Sequence, residues 1–230
     1  MLRSPEASLA LIAVLLGGAL QRPRHRAEIL FASDYFPDQI NAVTGETWYG
    51  LFPQAAKWQL APTRIHVESV TTGCIENGRR VTVDRPEHPL LLLRGLPALR
   101  SGTVEAAPLA HVRLRPGERR DFYIGTRPFR LVATGGGPGQ EVRDYQLHLI
   151  SVTSGASQTI VTEHRAEGMP SMAVLPKIIW IGDLDRDGKP DLFLDVNTTE
   201  LAGHWVLYMS SGAAPRELVS QVAEYHGVDC

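Results

Sequence analysis

Four aspartates fall within nine residues of this chain: Asp183, Asp185, Asp187 and Asp191, in the stretch Gly182-Asp183-Leu184-Asp185-Arg186-Asp187-Gly188-Lys189-Pro190-Asp191. Hard divalent cations take six to eight oxygen ligands, and calcium tolerates the irregular geometry that a loop offers. With Asp183 as loop position one, carboxylates occupy positions one, three, five and nine, and this odd spacing in a tightly coiled loop turns them inward around one point. Lys189, at position seven, offers a backbone carbonyl, for which the side chain is immaterial. Gly188, at position six, permits the sharp turn with positive φ. Carboxylates this close repel one another unless a cation lies among them, so metal binding and local folding are expected to be coupled. The spacing therefore predicts a calcium site formed by Asp183, Asp185, Asp187, Asp191 and the Lys189 carbonyl. Its expected role is structural, because protein oxygens close it.

The elements that position this loop are apolar runs, Lys177 to Ile181 before it and Leu192 to Val196 after it, both of β type. An EF-hand needs helices on both sides and a bidentate acid at position twelve, which here is Leu194. The segment Ile181-Gly-Asp-Leu-Asp-Arg-Asp-Gly-Lys-Pro-Asp-Leu-Phe-Leu194 instead resembles the D-x-D-x-D-G-x-x-D hairpin loop of FG-GAP repeats, as in integrin-type β-propellers. Trp205 to Met209 and Ser211-Gly212 are similar to the next strand of such a repeat and its turn. The resemblance covers residues 178 to 212 and implies calcium held by the four aspartates with the Lys189 carbonyl. A propeller needs several blades and only one such motif occurs, so a full propeller is not expected.

A length of 230 residues is enough for a substantial core, and 43% hydrophobic with 21% charged residues excludes both a disordered chain and a membrane bundle. A net charge of −2 gives no reason to expect a nucleic-acid partner. The 21 glycines and 16 prolines imply many turns, hence β structure. Strand signals occur at 46–52, 64–70, 80–84, 90–93, 110–114, 121–125, 129–134, 145–152, 158–162 and 204–209. Asn77-Gly78 predicts a hairpin turn, and 217–225 fits either a helix or an edge strand. The expected architecture is all-β: a sandwich-like N-terminal β domain (21–134), a Gly-rich linker (135–139) and a C-terminal antiparallel β module (140–230) carrying the calcium hairpin.

Residues 1–20 combine Arg3, the apolar run Leu9 to Leu16 and the small residues Gly17-Gly18-Ala19, the pattern of a secretory signal peptide with an apolar run too short to span a bilayer comfortably; a retained N-terminal anchor is the rival reading. The mature chain is then secreted or periplasmic, with no transmembrane span. Cys74 and Cys230, an even pair in an exported chain, are candidates for a disulfide.

Other clusters favour plain readings. The Gly135-Gly136-Gly137-Pro138-Gly139 run lacks the Lys-Ser/Thr of a phosphate loop. His164 and Glu167 lie in too short a segment for a bundle metal site, and His204 reads as a solvent-facing histidine at a strand end. Trp48, Tyr49, Phe52 and Trp58 read as core before they read as a carbohydrate platform. Glu46, Asp84 and Asp121 could pair as acid and base only if the fold unites them. Asn197-Thr198-Thr199 is a glycosylation sequon. The expected function is an exported calcium-binding β protein, a non-catalytic binding or structural module of the cell envelope or exterior, with an extracellular protein or glycan as ligand. The alternatives are a secreted hydrolase whose calcium is structural, and a chaperone or maturation factor of the envelope.

Overall fold

Period-two alternation and short, wholly apolar runs make strand the dominant element among the described residues. The structure, a computed structural model, describes residues 27–55, 57–136, 142–163, 175–197 and 202–228. The candidate signal segment, His164, Glu167, Cys230 and two residues of the sequon lie outside the described residues. The strands are β1 (Glu28–Leu30), β2 (Asp34–Tyr35), β3 (Thr47–Gln54), β4 (Lys57–Thr72), β5 (Ile75–Val83), β6 (Leu91–Arg94), β7 (Gly102–Ala106) and β8 (Val112–Arg113). They continue with β9 (Arg119–Ile124), β10 (Arg127–Gly136), β11 (Arg143–Ser151), β12 (Ser157–Glu163), β13 (Lys177–Asp183), β14 (Asp191–Asp195), β15 (Ala202–Met209) and β16 (Ser220–Val228). Among the described residues there is no α-helix; one 3-10 turn, Ser210–Gly212, follows β15.

The strands form two sheets. The larger runs β1-β6-β3-β4-β7-β13-β14-β15-β16, with β2 and β5 branching from β4 and β8 pairing with β13. Its end strands β1 and β16 lie against each other, so the sheet nearly closes on itself. The smaller sheet is the antiparallel meander β12-β11-β10-β9. The fold is all-β and is not a full propeller. Strands on either side of residues 135–139 are paired: β10 with β11, and β7 and β8 with β13.

The hairpin β13–β14 lies between two cores, which explains its unbroken apolar runs, since strands buried on both faces lose the polar alternation. On one face Ile178, Ile181, Leu192 and Leu194 pack with Phe122, Phe129, Leu131 and Leu149 of the smaller sheet. On the other, Ile179, Trp180, Leu184 and Phe193 join Leu51, Leu60, Leu91 and Val104 inside the larger sheet. The register slips between Ile178 and Trp180, and this bulge lets the consecutive Ile179 and Trp180 serve the same core. Trp58 meets Trp180 edge-on, ring centroids 6.3 Å apart.

A third cluster, built on Tyr35, Trp48, Ile65 and Val81, fills the end of the sheet near β2 and β5. Trp48 and Phe52 are both buried, so the aromatic group of β3 serves the core. Arg94 lies over the Trp48 ring and binds both Glu28 and Glu46 at 2.7 Å, tying β6 to β1 and to the start of β3.

One local expectation changes and one open alternative is decided. The turn between β4 and β5 falls at Gly73-Cys74, where Gly73 has φ 49°, and not at Asn77-Gly78. Asn77, with φ 53°, sits at a register shift within β5, so its tolerance of positive φ supports a bulge. Residues 220–228 are strand, resolved by pairing along β15 rather than by their own period. Cys74 is disulfide-bonded.

Candidate metal centre

The aspartate loop joins β13 to β14, and Gly182 pairs with Asp191 across the base of the hairpin. A Cβ on Gly182 would come within 2.3 Å of both the Glu105 carbonyl oxygen on β7 and the Trp180 ring, so only glycine lets β7 approach here. Gly188 takes φ 76° and Arg186 φ 64°, the left-handed turns that coil the loop back on itself. Leu184 points out of the acidic face into the core of the larger sheet.

The structure gathers Asp183, Asp185 and Asp191 so that one carboxylate oxygen of each lies within 4.8 Å of the others. Asp191 is fully buried. Its Oδ2 accepts from the Leu184 main-chain N–H at 2.7 Å, and its Oδ1 from the Ser210 N–H at 2.9 Å. Asp183 is held by the N–H groups of Asp187 and Gly188, each at 2.9 Å. Asp185 is different: both of its oxygens are shielded from solvent, and no hydrogen-bond donor among the described residues reaches either one. Desolvating an ionised carboxylate without a partner costs several kcal/mol, on the order of 2–7 even for a neutral polar group.

Asp187 is not part of the gathered group. Its Oδ2 accepts from the Ser210 hydroxyl at 2.9 Å, and its Oδ1 from the Lys189 N–H at 2.9 Å. The Lys189 ammonium lies 3.5 Å from it. Lys189 thus meets Asp187 through its main-chain N–H and its ammonium. The sequence did not reveal Ser210, which lies in the turn after β15. Its hydroxyl contacts Asp187 and, at 3.3 Å, Asp191 Oδ1, and only tertiary folding brings it there. A serine in an ordinary turn carries no local signal of this role.

Burial pushes the Asp191 carboxyl well above the usual carboxylate range, and the Asp185 charge adds to the effect, against the opposing Ser210 and Leu184 N–H bonds. Asp183 is raised for the same first reason. The N–H of Gly188 pulls it down, while the charges of Asp187 and Asp185 push it up. Three crowded carboxylates, two raised by desolvation and one with unpartnered oxygens, form an all-oxygen donor set that a hard divalent cation fits.

The loop is also a junction. The Arg186 guanidinium donates to the Arg100 carbonyl, in the segment before β7. From β10 of the smaller sheet, Arg127 donates to the Gly188 carbonyl at 3.0 Å. Next to it, the Gly125 N–H bonds Glu105 of β7 at 2.6 Å. Both sheets therefore meet around residues 183–191.

The other acids do not converge. Glu46 binds Arg94, Asp84 accepts from the Thr63 hydroxyl, and Asp121 binds Arg130. Among the described residues no helix is long and apolar enough to cross a membrane. The fold and the aspartate loop define an all-β chain with a candidate metal centre at the joint of its two sheets. Compared with protein-family profiles, curated proteins and solved structures, the chain matches none.

Proposed function

We propose that this chain is an exported, calcium-binding β protein, a non-catalytic binding or structural module of the cell envelope or exterior, in which the ion fastens the joint between two sheets. The observation that carries this reading is Asp185, whose buried oxygens lack partners and lie beside the oxygens of Asp183 and Asp191. A cation supplies the counter-charge that no side chain there provides. Calcium is favoured by the all-oxygen donors and by the likeness of the loop to an FG-GAP hairpin. A fastening role is supported by Arg186, Arg127 and Ser210, which bring three distant segments onto the same loop. Export is supported by the pattern of residues 1–20 and by the disulfide at Cys74, a bond that persists in oxidising compartments. The protein or glycan ligand belongs to the same proposal.

The test is thermal unfolding of the purified chain in excess calcium and in chelator. Calcium is expected to raise the melting temperature, with magnesium giving a smaller shift because it demands tighter octahedral geometry. Equal melting temperatures with calcium and with chelator would sink the assignment.

A further inference from the structure

On the strand pair β15–β16, away from the aspartate loop, three side chains converge that the proposed function does not use. His204 and His226 are direct cross-strand partners, and Glu224 lies two residues before His226, so period two places all three on one face. The imidazole rings stack with centroids 3.9 Å apart and 22° between planes. The Nε2 atoms of His204 and His226 lie 3.2 and 3.5 Å from the same oxygen, Glu224 Oε2. Gln221 donates to that oxygen at 3.1 Å and helps fix the carboxylate.

We propose that His204, Glu224 and His226 form a second metal site, selective for a zinc-type transition metal over calcium. Metal–ligand bonds of 2.0–2.1 Å in a tetrahedron place neighbouring donor atoms about 3.3 Å apart. The two nitrogen-to-oxygen separations match that edge, and one ligand atom of each residue lies within 4.8 Å of the others. His204 is half-buried and Glu224 and His226 are exposed, so solvent reaches the group, and metal binding requires the two rings to turn until both Nε2 lone pairs share one point. Two imidazoles and one carboxylate suit zinc, copper or nickel, whereas calcium requires oxygens. The two sites of the chain thus separate by donor type. Gln221 stands to Glu224 as outer-shell partners stand to metal-bound carboxylates elsewhere. Three protein ligands leave a fourth position to water, the open form of zinc site. Glu224 and His226 also line a cavity of about 400 Å³ at the seam between β1 and β16, whose polar walls include Glu28, Gln39 and Asn41.

The experiment uses the untagged chain in excess calcium, titrated calorimetrically with zinc chloride, together with the variants His204→Gln, His226→Gln and Glu224→Gln. The expected result is one zinc per chain in the wild type. Each variant is expected to bind more weakly by at least the about tenfold loss typical of removing an outer-shell partner. Cobalt in place of zinc is expected to give the visible absorption of tetrahedral coordination, lost in both histidine variants. The calcium-dependent melting shift of all three variants is expected to equal that of the wild type, which shows that they fold and keeps the two sites distinguishable. No zinc binding by the wild type, or equal zinc binding by wild type and variants, would overturn the proposal.

Discussion

Asp185→Ala separates a metal ligand from a solvated acidic turn, because the two make opposite statements about the calcium-free protein. The Asp185 carboxylate lies within 4.8 Å of an oxygen of Asp183 and of Asp191. At an effective dielectric of 20, each like-charged pair at that distance costs about 3.5 kcal/mol. Burial raises Asp183 and Asp191, so their charged forms are already disfavoured in this site. A residual gain of about 1–3 kcal/mol remains for the variant in chelator, to which removing two unpartnered oxygens contributes. For a chain of this size each kcal/mol moves the melting temperature by about 2–4 °C, so Asp185→Ala is expected to melt about 2–12 °C higher than wild type in chelator. With calcium at a hundred times its dissociation constant the wild type gains about 2.7 kcal/mol, or roughly 5–10 °C, and the variant loses that gain. The assay is differential scanning fluorimetry of both proteins in calcium and in chelator. A variant destabilised in chelator, or one with the full wild-type calcium shift, would refute the reasoning.

Further expectations follow from the surroundings of the loop. Ser210→Ala removes a hydroxyl whose single proton is shared between Asp187 and Asp191, while the Ser210 N–H stays on Asp191. Calcium affinity measured by titration is expected to fall about fivefold, the equivalent of one hydrogen bond of about 1 kcal/mol; unchanged affinity would separate Ser210 from the site. Gly182→Ala drives a Cβ into the Glu105 carbonyl and the Trp180 ring, forcing β7 away. A loss of about 3 kcal/mol is expected with or without calcium, and a wild-type melting temperature would count against the close approach. Asp183 and Asp191 have folded pKa values raised above 3.8, so folded calcium-free protein holds these protons more tightly than unfolded chain does. Their contribution to stability is therefore full below the unfolded value and is lost as pH rises through the folded values. A cation bound there favours the charged carboxylates, so on the proposed reading calcium and protons compete for the same oxygens. The calcium-induced melting shift is thus expected to grow from mildly acidic to neutral pH, with proton release detectable by calorimetry in buffers of different ionisation enthalpy. A shift that stays constant across that range contradicts the burial of these carboxylates.

Much of the fold was legible because β structure writes its period into the chain. The runs Ile178 to Ile181 and Leu192 to Leu194 announced strands around the acidic loop, and their lack of polar alternation already encoded burial on both faces. Asn77-Gly78 misled because positive φ serves a bulge as readily as a turn, and Gly73 met the turn's requirement instead. The stretch 217–225 was ambiguous because an amphipathic segment of that length satisfies both periods; the hydrogen bonds offered by β15 decided it.

For the candidate centre, the sequence by itself determined the oxygen chemistry, the coil of the loop through Gly188 and the hairpin that carries it. These are local properties, set by residue type and backbone freedom over nine positions. Only the tertiary structure decided which carboxylates converge. It buried Asp191, left Asp185 unpartnered and turned Asp187 toward Ser210, a residue nineteen positions beyond Asp191. Strand register likewise brought His204 against His226 and Glu224, a pair some twenty residues further along the chain. The physical reason is the same in both places. A short segment encodes its own dihedral preferences, whereas the desolvation and charge that tune a site come from whatever the folded sheets place beside it.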